Sequence, residues 1–403
     1  WMETPFLRHR FLIKTPLQIE KLKKAGVKHI TIDPNRGVDV AATDTDKCPE
    51  SRTDEIQSKE LSADSESEST AEILLAQLPK TVLGKSLSNE LSLTRDVRHE
   101  MLESVQEILR SISTSGVIQA RQVEEVTHSI IAQTLEHEDA SIAIICLREC
   151  SSDLHEHSLS VSTLAILLGR QAGYDDSQLH SLGTAALLHD VGLSQLPPGL
   201  WSSQNRRSAT ENTLYESHAQ LSVDMLREST EISDEVRTIV KEHHVLLDGT
   251  GYPKHIAPHS TNEMSQLLRI VDEYDELLTG QEGLPPMSGK EALGELLQRS
   301  KKKKLNQQLV SQFISQIGIY PIYSLVELNT GERGIVTGHS KENLLQPTIL
   351  LIQDAAKHPF QDPFPINFAT MHDNPSIPEI VKVLNPDQEG IQVESFLTNW
   401  ITV

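Results

Sequence analysis

The chain has 403 residues, which is enough for two or three domains and at least one large hydrophobic core. It carries 57 acidic and 36 basic residues, which gives a formal net charge of −21. This charge excludes a general affinity for nucleic-acid polymers or anionic membranes, because no excess of basic residues is present to release counterions from phosphates. A small anionic ligand would therefore need a local positive centre, such as a bound metal ion.

The cysteine content and the hydropathy pattern favour a cytoplasmic protein without a membrane partner. The three cysteines, Cys48, Cys146 and Cys150, are too few for a disulfide framework. The longest apolar run, ASIAIICL, is far shorter than the roughly 18 residues that a membrane-spanning helix needs. We therefore expect a reducing compartment and no membrane span.

The first third of the chain predicts three regions. Residues 1–40 predict a small α/β module, because a helical pattern that stops at Gly26 is followed by a β-branched strand pattern. Residues 41–71 are rich in Ser, Asp and Glu, which is typical of a disordered acidic linker. Residues 72–140 carry apolar residues at helical spacing. This stripe either forms a homodimer or packs on the body of its own chain.

The remainder predicts a mainly α fold, a helical bundle over 141–320 followed by a small β appendage over 321–403. The hairpin signal in the appendage is the alternating pattern around TGERG at 330–334. The lysines at 301–304 are interpreted as a solvated helix face. The predicted helices of the bundle span residues 154–172, 178–190, 211–228, 232–244, 261–279 and 289–317.

Histidines and aspartates recur near the ends of these predicted helices. Imidazole nitrogens and carboxylate oxygens from facing helices suit a divalent transition metal, and helical bundles build metal centres from such inward-projecting side chains. An aspartate such as Asp190 has two oxygens and can bridge two ions. The other histidines, which include His128 and His180, show no such spacing and are interpreted as ordinary histidines. The candidate metal ligands are Asp153, His157, His189, Asp190, His218, His243, His244 and Asp272.

Four motifs in chain order resemble one known family. They are HDVG at 189–192, the histidine of ESHAQLS at 216–222, HHVLLDGTGYP at 243–253 and RIVDEYDEL at 269–277. Together they are similar to the HD-GYP family of the HD phosphohydrolases, over about residues 145–320. Residues 1–40 also resemble a small domain often found ahead of bacterial HD-GYP domains, and the tail from Gly318 resembles an extension that often follows them.

The resemblance implies an HD-type fold and a phosphodiesterase that hydrolyses cyclic di-GMP to linear pGpG or GMP in bacterial signalling. It implies a bi- or trinuclear centre, with iron or manganese, held by the seven candidate ligands from His157 to Asp272. Asp153 stands where some members carry a glutamate for a third ion. The catalytic positions would be His189 and Asp190. The substrate-binding loop, which also offers a surface for partner signalling proteins, would be Gly251, Tyr252 and Pro253.

Two positions depart from the family pattern. Leu193 stands where the family has a lysine that reaches the substrate phosphate, and residues 279–293 lack the usual Arg-Pro-Tyr segment. A charge-assisted contact contributes about 1.5–3 kcal/mol, so we expect slow hydrolysis, which a lysine at position 193 would improve. Two alternatives stay open: a non-catalytic module that binds nucleotide or a partner, and a hydrolase of another cyclic dinucleotide.

Overall fold

The computed structural model describes most of the chain from residue 86 onward. The described ranges are 86–147, 153–197, 199–200, 206–280, 283–339, 344–370 and 378–384, with a few positions between 386 and 396. All of them lie within one compact unit, residues 69–403. The predicted module at 1–40, the predicted linker at 41–71 and Cys48 lie outside the described residues.

The described ranges are mainly helical, as the sequence predicts. No helix within them is both long enough and apolar enough to cross a bilayer. A short 3-10 turn over Val191–Gln195 follows the fifth helix. The helices are α1 (Ser86–Ser115), α2 (Ala120–Glu136), α3 (Glu138–Leu147), α4 (Leu154–Gln171), α5 (Asp176–Leu188), α6 (Ala209–Glu216), α7 (His218–Arg227), α8 (Asp234–Glu242), α9 (Glu263–Thr279), α10 (Gly289–Lys301) and α11 (Gln307–Ile317).

Local capping chemistry determines where several of these helices begin. At α5 the Asp175 side chain accepts a hydrogen bond from the backbone N–H of Gln178, and the Gln178 side chain accepts one from the Asp175 N–H. Ser208 and Glu211 form the same reciprocal pair at α6. Each pair satisfies backbone donors that have no partner inside the helix.

One hydrophobic core extends from α1 to α11. The apolar stripe predicted within residues 72–140 is part of it, since Val105, Ile112 and Ile130 are almost fully buried together with α4 and α9 residues such as Leu164 and Leu268. The described part of the stripe therefore packs on the body of its own chain, and the homodimer stays a prediction. Described residues on both sides of position 140 contribute to this core, and the boundary there stays a prediction.

The β appendage is a five-stranded antiparallel sheet in the order β4-β3-β2-β1-β5. Its first two strands form the predicted hairpin, in which Val326 pairs with Gly334. On one face of the sheet Ala143 and Ile144 of α3 pack against Ile335, which joins the sheet to the bundle. The strands are β1 (Leu325–Leu328), β2 (Arg333–Gly338), β3 (Thr348–Gln353), β4 (Pro359–Asn367) and β5 (Ile380–Leu384).

Two helices predicted as continuous are divided in the structure. The prediction of one continuous helix over 289–317 is wrong. The chain turns between α10 and α11, where the backbone of Lys303 adopts a φ of 59°. The lysines at 301–304 are thus mostly a turn, and the Lys304 carbonyl accepts a hydrogen bond from the Leu247 N–H at 2.9 Å. The predicted helix over 211–228 is divided at Ser217, immediately before His218.

Leu193 lies in the 3-10 turn and is 2% exposed. It packs with Leu196, Leu200 and Tyr215 in a small apolar cluster. These contacts surround the side chain with apolar groups, so a charged ammonium group at this position would be buried without a partner in the cluster. The expectation that a lysine at this position would improve catalysis is therefore not supported by the packing.

We predict that Leu193→Lys lowers the free energy of unfolding by about 2–4 kcal/mol, because it replaces a buried apolar side chain with a charged one. The volume-conserving Leu193→Met should cost less than about 1.5 kcal/mol. Urea unfolding of the two variants and the wild type measures the difference. Equal stability of Leu193→Lys and wild type would show that this position opens towards solvent.

Candidate metal centre

The candidate ligands converge where five helices meet. His157 lies in the first turn of α4, His189 and Asp190 follow α5, and His218 begins α7. His243 and His244 follow α8, and Asp272 lies in the middle of α9. All are almost fully buried except His157, whose side chain is 13% exposed. Asp153 is exposed immediately before α4 and belongs to neither of the ligand groups described below.

The turn that carries His189 and Asp190 is held against α7 by one hydroxyl. Ser222 accepts a hydrogen bond from the Gly192 N–H and donates one to the His189 carbonyl, both at 2.8 Å. A Cβ on Gly192 would lie 2.3 Å from the His218 carbonyl oxygen. Only glycine permits this approach, so the HDVG motif places its His-Asp pair by backbone contact.

The ligands form two groups that share Asp190 as a neighbour. The first group contains Asp190, His218, His243 and His244, and the second contains His157, His189 and Asp272; within each group the ligand atoms lie within 4.8 Å of one another. Asp190 Oδ1 lies 3.1 Å from His218 Nε2 in the first group. Its Oδ2 lies 3.5 Å from His189 Nε2 in the second. The carboxylate thus directs one oxygen to each group, as a bridging ligand does.

The tautomers of His189, His218 and His243 follow from their hydrogen bonds. Each Nδ1 lies 2.6–2.7 Å from a backbone carbonyl three residues earlier in the chain. A carbonyl only accepts, so Nδ1 carries the hydrogen and the neutral ring offers its Nε2 lone pair. His157 is oriented similarly by the Asp275 carboxylate, 2.8 Å from its Nδ1. The carbonyls belong to Ala186, Tyr215 and Val240.

This arrangement fits divalent cations. The Nε2 atoms of His218 and His243 are 3.3 Å apart, and those of His157 and His189 are 3.2 Å apart. Two lone pairs at that distance repel each other unless a cation lies near both. Asp190 Oδ1 is buried without a hydrogen-bond partner, which is costly unless an ion binds it. The donors therefore suit one ion in each group.

The electrostatics of the centre also favour positive charge. Burial raises the pKa of Asp190, but His189 and His218 outweigh it and hold that pKa well below its usual range. Burial lowers the pKa of His157, but Asp272 and Asp275 outweigh it and raise that pKa well above its usual range. Ionised carboxylates thus draw protons, or metal ions in their place, into the second group.

His244 differs from the other histidines of the first group. Its Nδ1 lies 2.7 Å from Arg269 Nη1, and a guanidinium only donates, so Nδ1 accepts and the neutral ring carries its hydrogen on Nε2. Burial, together with the charges of His243 and Arg269, lowers the pKa of His244 well below its usual range. Its Nε2 lies 3.1 Å from His218 Nε2 and is placed to donate to it.

Several residues around the centre were missed by the sequence analysis. Arg269 also donates to Asp272 Oδ2 at 3.0 Å and to Glu273 Oε2 at 2.8 Å. Arg299 lies 2.8 Å from the other Glu273 oxygen. The available signal was helical spacing, because Arg269 and Asp275 lie three residues before and after Asp272 and share its side of α9.

Glu276 lies at the edge of this charged cluster, with a carboxylate oxygen 3.8 Å from Arg269 Nη2. Burial, and next the charge of Asp272, raise its pKa from 4.5 to about 8, although Arg269 opposes the shift. The Glu276 carboxyl therefore holds a proton near neutral pH.

The Gly-Tyr-Pro loop packs directly on the first group. The Tyr252 ring stacks on the His244 ring with centroids 4.5 Å apart, and the Tyr252 N–H donates to the His244 carbonyl at 3.1 Å. A Cβ on Gly251 would lie 2.1 Å from that carbonyl oxygen. Pro253 follows and is half-buried. The loop is thus held at the ligands by backbone contacts that glycine alone permits.

Two families of known protein domains match parts of this chain. A family described as "HD domain" matches residues 125–309, and one described as "Domain of unknown function (DUF3391)" matches residues 1–123.

A cyclic di-GMP phosphodiesterase of Pseudomonas aeruginosa is 24% identical over 356 residues, which cover 87% of this chain and 79% of that protein. A 3'3'-cGAMP-specific phosphodiesterase of Vibrio cholerae is 27% identical over 121 residues, 30% of this chain and 26% of that protein. Among solved structures, the HDG"Y"P protein Bd1817 of Bdellovibrio bacteriovorus has a TM-score of 0.47 and 19% identity, and covers 56% of this chain and 71% of its own.

We predict that Ser222→Ala destabilises the His-Asp turn by about 1–3 kcal/mol, because it leaves the buried Gly192 N–H and His189 carbonyl without their partner. Ser300→Ala is a matched control, since that buried hydroxyl donates only to the Leu297 carbonyl of its own helix. Urea unfolding compares the two variants. Equal losses would show that Ser222 has no special role in the turn.

We predict that His243→Ala releases more metal than His244→Ala. His243 presents an Nε2 lone pair to the centre, whereas Arg269 keeps the hydrogen of His244 on Nε2. Metal content after gel filtration, measured by elemental analysis, distinguishes the two variants. An equal loss in both would mean that Arg269 leaves His244 when metal binds.

We predict that Glu276 makes the metal-free protein less stable as pH rises. Its folded pKa of about 8 exceeds its ordinary value of 4.5, so the folded state holds this proton more tightly than the unfolded chain. The contribution of the Glu276 carboxyl to the free energy of unfolding is fully present below pH 4.5 and is lost as pH rises through about 8. Glu276→Gln should flatten the profile of urea midpoints over this window, while the exposed Glu103→Gln follows wild type. Parallel profiles for all three proteins would contradict the shift.

Proposed function

We propose that this chain, which matches the HD-domain family over residues 125–309, is a metal-dependent phosphodiesterase of the HD-GYP type that hydrolyses cyclic di-GMP in bacterial signalling. The products would be linear pGpG, GMP or both, and the site of action the cytoplasm. The observation that carries the proposal is the pair of ligand groups joined by Asp190. A relative that covers 87% of the chain is named for this activity.

The proposed cofactor is a pair of divalent ions, iron or manganese. Mixed imidazole and carboxylate donors suit such ions, whereas magnesium and calcium prefer oxygen ligands alone. Asp190, His218 and His243 would hold one ion, with His244 beside it. His157, His189 and Asp272 would hold the other. Asp153 is exposed outside both groups, so the proposal is for two ions rather than three.

The residues of the chain would position the ions and the substrate. When bound, two divalent ions lower the pKa of water towards about 7 and neutralise charge on the phosphodiester. Asp190 would keep the two ion positions at a fixed separation. Arg269 would hold Asp272 and His244 in place through its two hydrogen bonds from Nη1. The ring of Tyr252, stacked on His244, would form one wall of the substrate site with Gly251 and Pro253.

The departures at Leu193 and at residues 279–293 bear on rate and substrate. Position 193 holds a leucine that is buried in an apolar cluster. The chain therefore lacks the lysine contact to the substrate phosphate that the family resemblance implies. The ions would then carry most of the phosphate binding, and turnover would be slow. Altered phosphate contacts also favour a second candidate, a hydrolase of another cyclic dinucleotide, and one relative is named for 3'3'-cGAMP.

The test is a hydrolysis panel on protein loaded anaerobically with iron or manganese. Cyclic di-GMP, 3'3'-cGAMP and cyclic di-AMP are compared at equal concentration, with products separated by chromatography. The expected result is the highest kcat/KM for cyclic di-GMP. A higher value for another dinucleotide would establish the second candidate. No turnover with about two ions bound per chain would overturn both and favour a module that binds nucleotide or a partner through the Gly-Tyr-Pro loop.

We predict that Asp190→Asn loses at least one ion per chain and slows hydrolysis at least about 100-fold, because it removes the negative charge between the two groups. His358→Ala, on an exposed loop of the β appendage, should keep both properties. Elemental analysis and the hydrolysis assay measure the two outcomes. An Asp190→Asn variant with wild-type metal content and turnover would show that the site is assigned wrongly.

A further inference from the structure

A separate group of metal-capable side chains lies between α2 and α5. It contains Glu124 and His128 of α2 and His180 of α5, whose ligand atoms all lie within 4.8 Å of one another. His180 precedes His189 by nine residues, which is about 13 Å along a helix, so this group is distinct from the centre described above. From the sequence both histidines are interpreted as ordinary, because neither shows the spacing of the candidate ligands, and 52 positions separate them in the chain.

The geometry of the three side chains is that of converging ligands. Glu124 and His128 are four residues apart and share one face of α2. The rings of His128 and His180 have centroids 4.6 Å apart at an interplanar angle of 46°. His180 Nε2 is buried and has no hydrogen-bond partner. An unsatisfied buried polar atom of this kind is uncommon in native proteins and points to an unseen partner.

The two helices that carry the ligands are in close and fixed contact. Thr127 and Thr184 place their hydroxyl oxygens 3.4 Å apart in the buried interface. A Cβ on Gly183 would lie 3.2 Å from the Thr127 methyl carbon. His128 is adjacent to Thr127, and His180 lies one turn before Thr184. The site is therefore preorganised by packing, which reduces the ordering cost of binding an ion.

We propose that Glu124, His128 and His180 form a second metal site, which takes Zn²⁺ and clamps α2 to α5. Two imidazoles and one carboxylate, with an open side towards solvent, are a common ligand set for zinc with water in the fourth position. Bonds of about 2.0–2.1 Å place tetrahedral ligand atoms about 3.4 Å apart, and the exposed Glu124 and His128 side chains are free to close that distance.

Two further observations support this assignment. Burial, and next the charge of His128, lower the pKa of His180, which keeps its imidazole neutral and able to bind a metal near neutral pH. The clamp also has a defined structural effect, since α5 ends directly at His189 and Asp190. An ion at the start of α5 would fix the helix that delivers those two side chains.

The test compares Zn²⁺ binding by equilibrium dialysis in the full chain and in Glu124→Gln and His180→Ala variants. All three proteins keep the main centre, so the comparison isolates the second site. The expected result is one Zn²⁺ fewer per chain in each variant, or at least about tenfold weaker binding of one ion. Added Zn²⁺ should also raise the melting temperature of the wild type more than that of the variants.

His99→Ala provides a matched control. His99 and Glu103 are an exposed pair with the same spacing on α1, 3.8 Å apart, and no third metal-capable side chain joins them among the described residues. This variant should bind Zn²⁺ as the wild type does. The proposal would be overturned if wild type, Glu124→Gln and His180→Ala bound Zn²⁺ with equal stoichiometry and affinity. This result would overturn it even if His180→Ala alone melted at a lower temperature.

Discussion

The buried carboxylate of Asp190 is the constraint on which the rest of the centre depends. Its two oxygens face different groups of histidines, and Oδ1 is buried without a hydrogen-bond partner. A buried anion is costly unless cations lie beside it, so the surrounding imidazoles and any bound ions are required for stability as well as for chemistry. The helices of the bundle converge on this side chain, which follows α5 and is held in place through the turn bonded to Ser222.

The backbone supplies much of the preorganisation around that charge. Three histidines donate from Nδ1 to carbonyls in the last turn of the helix that precedes each of them, so each presents Nε2 without any additional polar residue. Helix C-termini are well suited to this task, because their last carbonyls have no partner within the helix. The arrangement explains why His189, His218 and His243 lie at helix boundaries rather than within helix interiors.

Tertiary packing explains two features of the sequence that were first interpreted in functional terms. Leu193 stands where the family that this chain resembles has a lysine. In the structure Leu193 packs in an apolar cluster, where a leucine is more favourable than a charged side chain. The described apolar residues of the stripe, such as Val105 and Ile130, are buried in one core with residues of α4 and α5 of the same chain. In both cases an apolar residue is explained by what lies against it, which the pattern alone does not reveal.

The sequence by itself determined the features that arise from neighbouring residues. Apolar residues at helical spacing predicted a mainly α fold, the TGERG turn predicted the hairpin, and the His-Asp motifs predicted ligands at helix ends. Tertiary structure decided the features that depend on distant contacts. It paired His128 with His180, set the tautomer of His244 through Arg269, and divided the last predicted helix near Lys303. Such contacts leave no periodic signal, because each joins residues whose separation along the chain is unrelated to their distance in space.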